Sequence, residues 1–279
     1  MRAHIIPPAA EGMPLDKYIR RAYPMCDAAM LRKALRQRDF KQDGVRMSAS
    51  DPVHAGAELK CFLADGYLLG GELTVLFKDD RLAIVVKPAG LTCQRDGLGL
   101  GEDTLESRVH EMFGSAYLVN RLDHFTGGVM PIALTESMRD ELISAFAEHK
   151  VEKTYICQVK GVPEKPRARL TNYAIKSPGE SLVRVYDSPR PGALTMILTY
   201  DVIEPGDVSR LSIGLETGRT HQIRAQLSHI GHPVLGDDKY GDRAFNKRHG
   251  AAYQRLWCEN LRFTTGDYAN QSFSSPAPF

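Results

Sequence analysis

The 279-residue sequence is poor in the features that mark several common protein classes. It holds one tryptophan and five cysteines, and Cys26, Cys61, Cys93, Cys157 and Cys258 are scattered with no C-x-x-C among them. That spacing argues against a zinc knuckle or a dithiol redox pair and fits reduced thiols in a cytosol. No run approaches the roughly 20 apolar residues of a membrane helix. The opening MRAHIIPPAAEG turns to prolines after a short apolar patch, unlike a secretory signal. The expectation is a soluble, cytoplasmic protein with no membrane partner. Neither G-x-G-x-x-G nor G-x-x-x-x-G-K-[ST] occurs, so no glycine-rich phosphate cradle is encoded. His221, His229 and His232 lie close together but match no zinc spacing, and hydrogen bonding is the expected use of their rings, with no metal.

What is present describes an ordinary globular chain, 43% apolar and 25% charged. Its length exceeds that of one typical domain, which suggests a large domain with a small appendage. A net charge of +2 does not announce a nucleic-acid binder, but its distribution is uneven. Residues 1–60 carry 11 Lys+Arg against 7 Asp+Glu, so the front of the chain stands at +4 and the remainder at −2. In that front segment Leu15, Tyr18, Ile19 and Ala22 have helical spacing, and Pro24 closes the helix. Asp27 is the expected N-cap of a second helix with Leu31, Ala34 and Leu35 on its apolar face. Around that face stand Arg32, Lys33, Arg36, Arg38 and Lys41. GVRMS and ELKCFL follow as strands, with Gly56 between them.

Residues 64–73, ADGYLLGGEL, have the composition of a linker. Beyond them VLFKDD and RLAIVVKPAG read as two strands about a turn, with Pro88 and Gly90 ending the second. Asp103 and Glu106 have the spacing of a capping box. Thr135 caps a helix with Met138, Leu142, Ile143 and Phe146 on one face and Lys150 at its end. VEKTYICQVKG, ALTMILTYDV and SRLSIGLETG are strand candidates, and THQIRAQLSHIG is a helix closed by Gly231. Met196, Ile197, Leu198 and Trp257 belong to the core. Many strands with occasional helices indicate an α+β domain on a mixed, largely antiparallel sheet flanked by helices, preceded by a small α/β module. The expected division is residues 1–66 and 67–279.

Two stretches carry chemistry. In Asn120-Arg121-Leu122-Asp123-His124-Phe125-Thr126-Gly127-Gly128 a carboxylate precedes a glycine turn and an apolar run. If extended, the segment puts Arg121 and Asp123 on one side. In GRTHQIRAQLSHIGHPVLGDDKYG, Gly218-Arg219 is read at a helix start, where a guanidinium can pair with a carboxylate and keep it ionised.

Residues 15–63 resemble the alpha-L RNA-binding module shared with a ribosomal small-subunit protein, which presents its basic second helix to RNA. The usual Asn-Gly turn is missing, and Met47-Ser48-Ala49-Ser50 stands there. NRLDHFTGG resembles the HRLD-x-x-(T/S)-(S/G)-G motif of RluA-type RNA pseudouridine synthases, and GRTHQIRAQLSHIGHPVLGDDKYG resembles their second signature. VVKPAGL resembles their Lys-Pro-x-Gly segment, and Lys153-Thr154-Tyr155 their Lys-x-Tyr strand. The four motifs stand in family order over residues 74–262. Asn120 replaces the usual histidine and Gly127 the commoner serine, and Thr92-Cys93-Gln94 stands where His-Pro often follows.

The resemblance implies that Asp123 is the catalytic aspartate, Arg219 its paired arginine and Tyr155 the aromatic that stacks on uracil. It places Arg121 near the displaced base or the space that base vacates and Ile223 in the wall of the base pocket; Gln222 and Arg224 are assigned to supporting the loop. Uridine becomes pseudouridine when the bond from ribose to N1 breaks, the base rotates and C5 takes its place. The base must leave the stack, which an aromatic face compensates. Asp123 either attacks the sugar carbon or acts as a base toward the ribose. No cofactor is implied. The expected partner is RNA, ribosomal in preference to transfer RNA, met by a monomer. The competing readings are a non-catalytic RNA-binding protein, a base-excising glycosylase and a small-molecule enzyme.

Overall fold

A computed structural model of the chain describes residues 2–22, 28–62, 73–94, 104–176, 182–251 and 253–279. Contacts divide the chain into two compact units, residues 1–74 with 87–116 and residues 75–86 with 117–279.

The first unit begins with a four-stranded sheet formed by β1 (Arg2–Ile5), β2 (Phe40–Gln42), β3 (Val45–Arg46) and β4 (Glu58–Cys61), in the order β1-β4-β2-β3. Two helices, α1 (Leu15–Ala22) and α2 (Ala28–Gln37), lie between β1 and β2 in the chain. Leu15, Tyr18 and Ile19 of α1 join Leu31, Ala34 and Leu35 of α2 in one cluster with Phe40, Leu59 and Cys61. This is the helical spacing expected from sequence. Asp27, the expected cap of α2, lies outside the described residues.

Two details differ from the sequence reading. The tight turn of the front hairpin is Asp43-Gly44, both left-handed at φ 47° and 85°, joining β2 to β3. Asp-Gly is a preferred pair for a two-residue hairpin, so Met47–Ser50 is not where the turn chemistry sits. The helix α3 (Leu105–Phe113) is capped by Thr104, whose hydroxyl accepts from Ser107 N at 3.1 Å while Thr104 N donates to Ser107 Oγ at 2.9 Å. Thr104 and Ser107 form the reciprocal box that was assigned to Asp103 and Glu106, because a hydroxyl can both accept from and donate to its neighbours. Asp103 and most of the expected linker, residues 64–72, fall outside the described residues.

The second unit is built on a large sheet. Its strands are β5 (Thr74–Lys78), β6 (Leu82–Lys87), β7 (Tyr117–Leu118), β8 (Gly127–Ala133), β9 (Val151–Lys160), β10 (Arg167–Lys176) and β11 (Val183–Tyr186), then β12 (Leu194–Glu204), β13 (Val208–Leu215), β14 (Leu256–Phe263) and β15 (Ser272–Ser274). The order is β11-β10-β12-β13-β9-β14-β8-β6-β5, with β15 on β14 and β7 on β8. Pairings from β11 through β14 are antiparallel, and β14 runs parallel to β8. The architecture is the α+β arrangement on a mixed, largely antiparallel sheet. Its helices are α4 (Glu136–Ala147), α5 (Gln222–His229) and α6 (Arg243–Arg248).

Helix α4 is capped by Thr135 and buries Met138 and Leu142, as its periodicity indicates. Ile143 does not share that face and is 51% exposed, since it stands five residues past Met138 and off the i, i+4 stripe. Every residue of β8 is buried, in keeping with a central strand. That strand begins at the glycine pair after the Asp123 loop, so the loop leaves directly from the middle of the core.

Candidate active site

Asp123 does not lie on an extended strand. Residues 120–126 form a loop that turns back on itself, with Thr126 N donating to Asp123 O at 3.0 Å. The turn is anchored by β14 and the residues before it. Buried Gln254 donates from Nε2 to the Thr126 hydroxyl, and Gly128 lies against the Cys258 backbone. Gly128 has φ 122°, and a Cβ there would stand 2.2 Å from Cys258 O. The second glycine of the motif is therefore required by close approach of two backbones as well as by its dihedral angle. Beside Asp123, the rings of His124 and Phe125 stack at 4.4 Å.

The cation paired with Asp123 is Arg224. Its Nη1 donates to Asp123 Oδ2 at 2.9 Å. On its other edge Nε and Nη2 donate to the two oxygens of Asp237, each at 2.7 Å, and Nη2 also reaches Asp238 Oδ1 at 3.3 Å. Burial opposes the charge of Arg224, but Asp237 and Asp123 more than offset this and raise its pKa. Asp237 is fully buried; burial pushes its carboxyl up, and the Arg224 guanidinium with the Tyr240 and Lys239 N–H groups brings it below the ordinary carboxylate range. The Asp123 side chain is 27% exposed, so of the two closely paired carboxylates it is the one that reaches solvent.

Arg219 does not hold the partner role assigned to it. It is exposed, and its Nε donates to Thr195 O at 3.4 Å with no carboxylate partner among the described residues. The helix begins later than the Gly-Arg pair suggested, at Gln222, after His221 in a left-handed conformation at φ 53°. Gln222 locks the preceding turn, accepting from Thr217 Oγ1 at 2.8 Å and Arg219 N at 3.0 Å and donating to Ile197 O at 3.0 Å. The turn thus holds Arg219 outside, while Arg224, three residues into the helix, faces inward. Gln222 through Leu227 are all buried. Burial of this helix is what demands a counter-ion for Arg224, since a buried arginine must be paired. Asp237 in the same signature supplies it.

Tyr155 lies on β9 opposite Cys258 of β14 and is 5% exposed. Burial, the neighbouring Cys258 and the Asp123 charge all raise its pKa, so the ring stays neutral beside the carboxylate. Ile223 is buried in the first turn of α5, next to Arg224. Arg121 is exposed and forms no ion pair among the described residues. Of the residues singled out from sequence, Asp123 is held by Arg224 and Tyr155 is close enough to feel the Asp123 charge, Ile223 is buried in the helix that carries Arg224, and Arg219 and Arg121 are exposed. The three histidines serve separate hydrogen bonds. His221 Nδ1 meets Tyr240 Oη at 3.0 Å, His229 Nε2 meets Asp187 at 2.8 Å, and His232 Nδ1 meets Lys160 O at 2.9 Å. Burial lowers the His221 pKa, so its ring is held neutral.

In the first unit, Arg32, Lys33 and Arg36 are exposed on α2, and Arg38 is exposed just beyond it. None of the four forms an ion pair among the described residues. Lys41 is half-buried, with Nζ 5.3 Å from the centre of the Phe62 ring.

The chain has known relatives in sequence and in fold. Residues 81–229 match the RNA pseudouridylate synthase family. Ribosomal large subunit pseudouridine synthase C of Rickettsia bellii (strain RML369-C) is 30% identical over 251 residues, covering 82% of each chain. The dual-specificity RNA pseudouridine synthase RluA of Escherichia coli (strain K12) is 32% identical over 213 residues, 74% of this chain and 94% of that one. In fold, the solved structure of human RNA pseudouridylate synthase domain containing 1 superposes with a TM-score of 0.61 at 23% identity, covering 75% of this chain and 84% of that one. The chain is thus an RNA-directed isomerase by class, and it belongs to the RNA pseudouridine synthase family, with relatives of the RluA type.

Proposed function

We propose that this chain converts particular uridines of structured RNA to pseudouridine, with Asp123 as the catalytic carboxylate and Arg224 as the cation that holds it. The reading rests on one observation: a single buried guanidinium bridges Asp237, which is sealed in the core, and Asp123, which reaches solvent. A carboxylate fixed in this way keeps one oxygen on the arginine and offers the other to a ligand. Toward a uridine turned out of its stack, that oxygen meets the ribose. The C1′–N1 bond breaks, a C1′–C5 bond forms, and the C5 hydrogen is given up while N1 gains one, so no oxidant or group donor is consumed. Tyr155 supplies the aromatic face for the extruded base, which for base–aromatic stacking is worth about 1–3 kcal/mol. Ile223 closes the apolar wall. Arg121, exposed on the Asp123 loop, is assigned to the displaced base or the space it vacates.

Residues 1–66 are assigned to RNA docking as an alpha-L module, through Arg32, Lys33, Arg36, Arg38 and Lys41, with residues 67–279 as the catalytic part. Ribosomal RNA is the favoured target, because the module resembles one from a ribosomal protein; one relative's name specifies the large ribosomal subunit. Transfer RNA is the alternative. The protein is assigned to the cytoplasm and to work as a monomer.

Carbodiimide mapping of total RNA from cells with and without the gene tests the reaction and the target together. The expected result is the loss of one or a few pseudouridine stops, in ribosomal RNA. Unchanged maps in every RNA class would sink the proposal, and free uracil in place of isomerised base would make the chain a glycosylase.

A further inference from the structure

The Gly236-Asp237-Asp238-Lys239-Tyr240-Gly241 loop carries the carboxylate that fixes the Arg224 guanidinium. Asp237 holds two of the three nitrogens of the Arg224 guanidinium side-on, through Nε and Nη2. A two-point grip of this kind fixes both the position and the plane of the fork. Nη1 is then the nitrogen left to meet Asp123. Without the grip, Arg224 could rotate about its last bonds and leave Asp123 unheld.

The acid is itself caged. Its Oδ1 accepts from Lys239 N at 2.9 Å and Tyr240 N at 3.0 Å, in addition to Arg224. Asn246 of α6 straps the loop backbone, with Oδ1 accepting from Gly236 N at 2.8 Å and Nδ2 donating to Asp237 O at 3.0 Å. Both flanking glycines are enforced by contact. A Cβ on Gly236 would lie 1.9 Å from Tyr253 O, and one on Gly241 would lie 2.1 Å from Asp237 O. Asp238 is no substitute, since its side chain is 63% exposed and its bond to Arg224 is longer at 3.3 Å.

We infer that Asp237 is the positioning residue of the reaction: it acts through Arg224 to set where the Asp123 carboxylate meets the ribose. The inference rests on Asp123 being the catalytic carboxylate. It separates rate from affinity, because Asp237 is buried and touches no RNA, whereas displacing a reacting group by about 1 Å can cost on the order of 10²-fold in rate.

The test is steady-state kinetics on RNA labelled with tritium at uridine C5, which releases the label as the new bond forms. Asp237→Asn keeps the shape of the side chain but turns one acceptor into a donor facing the guanidinium. It is expected to lower kcat about 10²-fold with KM within about threefold of wild type. Asn246→Ala loosens the same loop without removing a charge, and a kcat loss of about tenfold at constant KM is expected. If Asp237→Asn folds and keeps kcat within about threefold while Asp123→Asn is inactive, the inference falls and the catalytic reading stands. If Asp237→Asn does not fold, Asn246→Ala decides in the same way, and unchanged kcat overturns the inference. Normal turnover by Asp123→Asn would instead remove the reading on which it rests.

Discussion

The arginines of α2 and the arginine of α5 use the same functional group in opposite ways. Arg32 and Arg36 stand exposed with no ion pair among the described residues, while Arg224 is buried against three carboxylates. With those carboxylates ionised, the Arg224 cluster carries a net charge of −2, which repels a phosphate backbone. Attraction to RNA must therefore come from other residues, and Arg32, Lys33, Arg36 and Arg38, which form no ion pair among the described residues, are suited to it. Exposed cations act additively and are screened by salt, whereas a buried cluster acts through geometry and is screened far less. Binding and turnover should accordingly be separable by mutation.

The largest effect expected is that of Asp123→Asn. It removes the charge that faces solvent and leaves the fold's other contacts in place. Single-turnover isomerisation should fall by at least ~10³-fold, while the affinity for RNA measured by filter binding stays within about twofold. Substantial turnover would show that another group does the chemistry, and a matching loss of affinity would erase the contrast between the two regions.

Next comes Arg224→Gln, which strands Asp237 in the core without its counter-ion. Breaking a buried pair from one side costs about 3–5 kcal/mol, against a few tenths for an exposed arginine such as Arg32. Urea midpoints of the two variants measure the difference directly. Acid sharpens it. Asp237 is held below the ordinary carboxylate range in the folded protein, so it binds its proton more readily when unfolded. The stability it contributes is complete above the unfolded value near 3.9 and is lost as pH falls through the lower folded value. Below about pH 4 the gap between wild type and Arg224→Gln should therefore narrow, since the neutral acid no longer needs the cation. A gap that stays constant from pH 7 to pH 3 would mean that the pair contributes no such stability.

The sequence made parts of this molecule readable because some residues have few alternatives. Leu15, Tyr18 and Ile19 could only face one core, and Thr135 before an apolar stripe is an N-cap. Asp123 stood out through the resemblance of NRLDHFTGG to a family motif, since a carboxylate before a glycine turn is by itself also the mark of a plain surface turn. What could not be read depended on contacts between distant parts of the chain. Arg219 and Arg224 are equally charged, and only the burial of α5 and the position of Asp237 separate them. The strand β10, with Arg167, Arg169 and Lys176 along its length, lacks the hydrophobic run of a core strand. Pairing with β12 on one side and β11 on the other makes it part of the sheet. The turn at Asp43-Gly44 was legible from its residue pair alone, which is a preferred one for a two-residue hairpin.

The smallest effect concerns the exposed side of the comparison. The double substitution Arg32→Ala with Arg36→Ala removes two cations one helical turn apart without altering a buried contact. Affinity for RNA should drop about tenfold at moderate salt, and the slope of log K against log salt should flatten by about 1.4–1.8, the release of two phosphate counter-ions. kcat on saturating RNA should not change, because neither residue touches the Arg224 cluster. The decisive quantity is the slope. If affinity falls while the slope keeps its wild-type value, the loss has come from altered packing of the first unit, and the phosphate contacts assigned to α2 belong elsewhere on the protein.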